Sequence, residues 1–391
     1  MTTRAGRMPE RPPGHPGTRL SYREATALLT IYIGSKAFTS CPSQLIYLVG
    51  TSAWITAIIA YVPAVLGMLA NYHFAVRFGG LSYQRCVEAT VGKAAGKLLG
   101  LVFFLILLGM NAISLREFAG AYKTSILPMT PLPVLGWLGA FTAVWGSMFG
   151  IEAIGRAASM MFAPLALLSL TILLSALLLE FSVAEVFPLW GTGASHTIWG
   201  SAPCSSLYAE GFAVGLLVPY LRSAETTGRR LCTVSLLISA GYIAAAVFFT
   251  EVLFTAPVGA QMLYPMLQLA SAIQLGAFFE RIESLFVFAW IFFASVKVAL
   301  GNLLASVLLT DILGVRRWSF IIWPVAILTY FGAFAPDTLV DVFILQITLF
   351  RSVGWIVAWV FPALLLAIAA TRRLPGRERR DREPAGGDGA E

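Results

Sequence analysis

Charge is what this chain has least of. Asp, Glu, Lys and Arg make up 12% of its 391 residues, against 58% hydrophobic residues. A soluble globular domain carries about twice that share of charge, so a water-soluble architecture is excluded. Histidine is also scarce, at three residues. The four cysteines, Cys41, Cys86, Cys204 and Cys232, lack the close spacing of a metal site. There is no phosphate-cradling glycine loop, no HExxH and no nucleophile elbow. No metal, no other cofactor and no enzyme chemistry is therefore expected. The first twenty residues lack the apolar core of a cleavable signal peptide.

What the chain does have is apolar sequence in long runs. Ten spans are expected, near 24–49, 52–76, 96–122, 133–151, 157–180, 200–221, 231–255, 279–310, 319–335 and 340–370. The fold class is all-α integral membrane. One membrane domain at 22–371 lies between disordered polar tails at 1–21 and 372–391. The formal charge of +7 comes from arginines and lysines beside the spans, which reads as a topology signal and not as a nucleic-acid surface. One set of connections holds Arg77, Arg85, Lys93, Lys97, Arg156, Arg222, Arg229, Arg230, Arg316 and Arg317, together with both tails. The other set holds only Lys123. Both termini are thus expected in the cytoplasm, with the bilayer as an obligatory partner. The polar stretches 180–203 and 255–274 are expected as short interfacial helices outside.

Two spans are interrupted. The first carries Gly34, Ser35 and Lys36 at its centre, with Pro42 following. Glycine and proline weaken a helix, and a mid-membrane lysine costs roughly 2.5–3.5 kcal/mol on an insertion scale. The sixth reads Tyr208-Ala-Glu210-Gly211-Phe212 and reaches Pro219. Gly34 precedes Pro42 by the same eight residues that separate Gly211 from Pro219. Ten spans divide as five plus five, and an odd number per half inverts the second half relative to the first. Matching interruptions in such repeats point to a substrate site. Gly34, Ser35, Lys36, Tyr208, Glu210, Gly211 and Phe212 are the candidate ligand-binding residues. Lys36 and Glu210 are expected to pair without ligand, and a zwitterion would divide them, its carboxylate on Lys36 and its ammonium on Glu210. Lys297 lies mid-span in the eighth run, directed at carbonyls near Gly34. Arg116, Glu117, Arg281, Glu283 and Arg351 lie toward the outer ends of spans, as a charged vestibule or as structural ion pairs.

Several stretches carry a resemblance. They are Leu115-Arg-Glu-Phe-Ala, Leu127-Pro-Met-Thr-Pro131, Gly150-Ile-Glu-Ala-Ile-Gly-Arg156 and Leu217-Leu-Val-Pro-Tyr-Leu221. Tyr264-Pro-Met-Leu-Gln-Leu-Ala270, Phe279-Glu-Arg-Ile-Glu-Ser-Leu-Phe286 and Lys297 complete the set. From about Ser21 to Ala370 the chain resembles the spore germination permease family, the B subunit of nutrient germinant receptors, in the amino acid–polyamine–organocation superfamily. Where that family has a Gly-Ser-Gly-like pattern in span one, this chain has Lys36 in the third position. The resemblance implies a LeuT-type 5+5 inverted repeat, with ligand bound between spans one, three, six and eight. It implies an inner spore membrane or cytoplasmic membrane location, A and C subunits as partners, and an amino acid or similar nutrient as ligand. Sodium-coupled relatives of this fold hold an ion between spans one and eight, where Lys297 would substitute its charge. A proton-coupled amino acid transporter and an ion-conducting pore subunit are the alternatives on the same fold.

The expected topology is testable by labelling. A cysteine placed at Ser195 should react with a membrane-impermeant reagent from outside, and one at Ser223 only after permeabilisation. The reverse pattern would overturn the assignment.

Overall fold

The computed structural model describes residues 19–175, 177, 182–191, 193–272, 282–315 and 317–374, with backbone alone at 282–285, 349 and 350. Its regular structure is helical, apart from one isolated bridge between Leu20 and Leu221. The first run is α1 (Tyr22–Gly34), a 3-10 turn at Ser35–Phe38, and α2 (Cys41–Val49). Then come α3 (Ala53–Arg77), the short α4 (Tyr83–Val91), α5 (Lys93–Ser125), α6 (Leu132–Met148) and α7 (Gly150–Ser175). The second broken run is α8 (Ala194–Cys204), a 3-10 stretch at Ser205–Phe212, and α9 (Ala213–Leu217). The long α10 (Ala224–Phe254) leads through two short helices, α11 (Ala256–Gly259) and α12 (Pro265–Ala272), to α13 (Ile282–Leu313). The end is α14 (Ser319–Phe334), α15 (Leu339–Leu345), α16 (Ser352–Trp355) and α17 (Phe361–Thr371). Among the described residues six helical stretches are long and apolar enough to cross a bilayer, and α6 and α14 are shorter apolar helices.

The breaks follow from local chemistry. Ser21 opens α1 with a reciprocal cap: Glu24 N donates to Ser21 Oγ at 3.4 Å, and Ser21 N donates to Glu24 Oε2 at 2.7 Å. At Gly34 the helix tightens to a 3-10 turn, and Thr39 is extended. The chain re-enters helix at α2 with Pro42 in its first turn, where a missing N–H leaves no ladder bond unmade. In the second run Pro203 stands at the end of α8 and eight residues of 3-10 geometry follow. Runs of that length are uncommon, and a 3-10 stretch inside a helical span marks a hinge or a functional site.

The final run differs from the single helix expected over 340–370. Two π turns interrupt it, at Gln346–Arg351 and Ile356–Val360. Short helices do stand near the expected outer connections, as α11 and α12. At the opposite side Leu20 N donates to Tyr220 O at 2.8 Å and Arg222 N to Leu20 O at 3.1 Å, stapling the start of α1 to the end of the second broken run.

Between helices in a bilayer, close backbone approach matters more than hydrophobicity, because lipid is as apolar as the core. α3 shows the device. Ala53, Ala57, Ala60, Ala64 and Gly67 recur at steps of four and three and are all buried. That seam faces α10 and the last run, while Ile58, Val62 and Leu66 on the other side are exposed to the lipid region. A Cβ on Gly67 would lie 2.5 Å from Trp359 Cβ and 2.6 Å from its ring. Gly67→Ala should therefore destabilise the protein by about 1–3 kcal/mol, the usual cost of overpacking. Thermal unfolding in detergent reads it, and an unchanged midpoint would mean that α3 and the last run do not meet there.

Candidate functional site

The two breaks and α13 meet at one carboxylate. Glu210 sits in the 3-10 stretch of the second run and is 1% exposed. Its Oε2 lies 2.5 Å from Lys36 Nζ, and its Oε1 accepts from Lys297 Nζ at 3.2 Å. Lys36 Nζ also donates to the Leu207 carbonyl at 2.9 Å. The partners expected in spans one and six thus meet, and a second lysine joins them. The Lys297 ammonium goes to Glu210, not to carbonyls near Gly34 as expected, because a full carboxylate outcompetes a carbonyl dipole for a buried cation. The lysines differ in exposure: the Lys36 side chain is 18% exposed and that of Lys297 is 3%. Both line the adjoining cavity, Lys297 as the more sequestered partner and Lys36 as the more open one.

That cavity, of about 60 Å³, is walled by the first and second runs, α5, α13 and the last run. One buried water needs about 10–15 Å³ on this scale, so there is room for roughly four to six atom-sized groups. Of the seven candidate ligand residues, Lys36 and Glu210 line it. The other five face helix packing. Gly34 backs onto Ser239, and Gly211 onto Met68 and Trp359. Ser35 is buried, the Tyr208 hydroxyl donates to Ala57 O at 2.7 Å, and the Phe212 ring packs 4.9 Å from that of Phe103. Small or aromatic residues at a break serve helix contact as readily as ligand contact, and spacing alone does not separate the two.

The residues read as an outer vestibule divide. Glu117 and Arg351 line the cavity itself. Glu117 Oε1 accepts from Ser40 N at 3.3 Å and from the Ser40 hydroxyl. Gln44 Nε2 donates to Ser40 Oγ at 2.8 Å and also meets Gln346 Oε1. Arg351 Nη2 donates to Gln44 Oε1 at 2.8 Å. Arg116 lies apart from the cavity. It donates to the Asp337 carbonyl at 3.0 Å and stacks 4.9 Å over Phe334, tying α5 to the end of α14. None of Arg116, Glu117 and Arg351 forms an ion pair among the described residues. Arg281 and the side chain of Glu283 lie outside the described residues.

Gln44, Gln346 and Ser40 were not among the residues expected at the site. A lone glutamine in an apolar run is a weak signal, but Gln346 and Arg351 carry a stronger one that needs the backbone. In an α-helix, residues five apart point about 140° apart around the axis. The π turn at Gln346–Arg351 closes its hydrogen bonds over five residues and brings both toward one wall.

Removing one member of a buried ion cluster strands the rest. Glu210→Gln leaves two lysines without a carboxylate and should cost about 3–5 kcal/mol. Lys36→Met should cost less, since Lys297 still neutralises Glu210. The double change Glu210→Gln with Lys297→Met should recover part of the loss. Thermal unfolding of the four proteins checks this, and equal stability of Glu210→Gln and the natural protein would show the cluster to be energetically idle.

Comparison with known proteins fits this geometry. The spore germination protein family matches residues 19–339. The spore germination protein YndE of Bacillus subtilis is 21% identical over 367 residues, covering 92% of this chain and 98% of YndE. The putative spore germination protein YfkT of the same organism is 24% identical over 276 residues, covering 70% and 74%. Among solved structures, a Na+-coupled sialic acid symporter in a substrate-bound outward-open state superposes with TM-score 0.66 at 15% identity, covering 92% of both chains. Mhp1, a nucleobase-cation-symport-1 family transporter in a closed conformation, gives 0.63 at 14%, covering 93% of this chain and 96% of Mhp1. At such identities these two establish the fold, which is of the LeuT type. The chain is an integral membrane protein, and it belongs to the spore germination permease family.

Proposed function

We propose that this protein is the membrane-embedded subunit of a nutrient germinant receptor. A small nutrient such as an amino acid enters the cavity beside the two broken runs, and its binding triggers spore germination. The partners are the A and C subunits, the location is the inner spore membrane, and both termini face the cytoplasm. The observation that carries this reading is the shared Glu210. Lys36 ties the first broken run to the second, and Lys297 ties the second to α13. Both lysines line the cavity, and the Lys36 side chain is the more exposed, at 18% against 3%. A ligand that draws Lys36 away loosens one broken run from the other while Lys297 keeps Glu210 neutralised. The ligand then contacts two states of the protein differently, which is what a trigger requires. Because Lys297 already supplies a fixed positive charge, the response should not need sodium.

Spores carrying Lys36→Met in place of the natural subunit should contain the protein yet fail to lose refractility on nutrient addition. Glu210→Gln spores should fail as well, and natural spores should respond equally in sodium-free medium. Normal germination in both variants would overturn the receptor reading. Concentrative uptake of the nutrient by the purified protein in proteoliposomes would favour a transporter.

A further inference from the structure

Arg351 has no carboxylate partner among the described residues. It lies at the end of the first π turn of the last run, 8% exposed, in the wall of the cavity. Nη2 donates to Gln44 and the guanidinium neighbours the buried Cys41 thiol, while Nε and Nη1 are buried without a hydrogen-bonded acceptor among the described residues. Among the described residues no carboxylate lies within ion-pairing distance of it. Glu210 is shared by two lysines, and Glu117 is engaged by Ser40. The Arg351 guanidinium is a full positive charge in an apolar run long enough to cross a bilayer. Such a group is strongly unfavourable unless something pairs with it. The cavity as a whole shows the same imbalance, with Lys36, Lys297 and Arg351 against Glu210 and Glu117.

We infer that Arg351 is the anion-reading residue of this cavity and that the ligand carries a carboxylate. The inference rests on the proposal that the cavity takes the nutrient. It differs from the division expected between Lys36 and Glu210, because Lys36 already has its carboxylate and Arg351 has none among the described residues. Guanidinium nitrogens match a carboxylate in geometry and make stronger hydrogen bonds to it than to a neutral acceptor. An anion seated at Arg351 also attracts Lys36 across the same cavity and weakens its hold on Glu210, which connects recognition to the trigger.

The test is thermal unfolding of the purified full-length protein in detergent with defined probes. These are L-alanine, propionate, L-alaninamide, chloride, glucose and adenosine. At least one of the two carboxylates should raise the midpoint saturably, and L-alaninamide, which lacks the carboxylate, should not. Arg351→Gln should weaken that binding about tenfold or more, and Arg351→Lys by less. Without ligand, Arg351→Gln should melt above the natural protein, because an unpaired buried charge is gone; an arginine with a purely structural role would melt lower on removal. Equal shifts with L-alanine and L-alaninamide, saturation by chloride alone, or no shift with either carboxylate would overturn the inference. A shift with glucose or adenosine alone would overturn it too, while leaving the receptor reading in place. Normal germination with the Lys36 and Glu210 variants would do the opposite.

Discussion

An unpaired charge in hydrocarbon is the constraint on which this structure turns. Glu210, Lys36 and Lys297 come from three separate segments, and each alone is a liability at membrane depth. Together they tolerate burial because one carboxylate serves two ammonium groups. That arrangement sets the relative position of the two broken runs and of α13. It also leaves one partner, Lys36, less sequestered than the other. A tie that must exist for burial, yet can be reached from a cavity, is a natural point at which a small molecule acts on the fold.

The backbone irregularities belong to the same economy of polar groups. Non-helical backbone inside a bilayer persists only where protein or a water-filled cavity meets its hydrogen-bonding needs. Three of the irregular segments lie against the cavity: the turn at Ser35–Phe38, the 3-10 stretch at Ser205–Phe212 and the π turn at Gln346–Arg351. Around them the helices are held by small-residue seams and ring packing, as along α3 and in the Phe38, Phe286 and Phe293 cluster. The irregular segments bring Lys36, Glu210, Gln346 and Arg351 to the cavity, and the regular helices α2, α5 and α13 add Gln44, Glu117 and Lys297.

Much of this is legible in the residues. The interruptions at Gly34 and Gly211 show as glycine and proline inside apolar runs, and Lys36, Glu210 and Lys297 show as charges where none is affordable. The partner of Lys297 does not show, because Glu210 lies 87 residues away and no local rule connects them. Tyr208, Gly211 and Phe212 sit in the right segment yet turn toward Ala57, Met68 and Phe103. In a 3-10 stretch the side-chain period is not that of an α-helix, so the facing side chains cannot be assigned by spacing. Arg351 looks like an outer-end charge until the π turn places it in the cavity wall.

The sequence by itself determined the medium, the helical class and the location of the two breaks. Those properties are one-dimensional: the length of an apolar run, the transfer cost of a charge and the backbone preference of glycine and proline all act residue by residue. Only the tertiary structure decided which cation receives which carboxylate, that Arg351 receives none among the described residues, and that Gln346 and Arg351 share a wall. Ion pairing depends on distances between segments far apart in the chain. A π turn depends on how the last run packs against its neighbours, so neither is encoded in any local stretch.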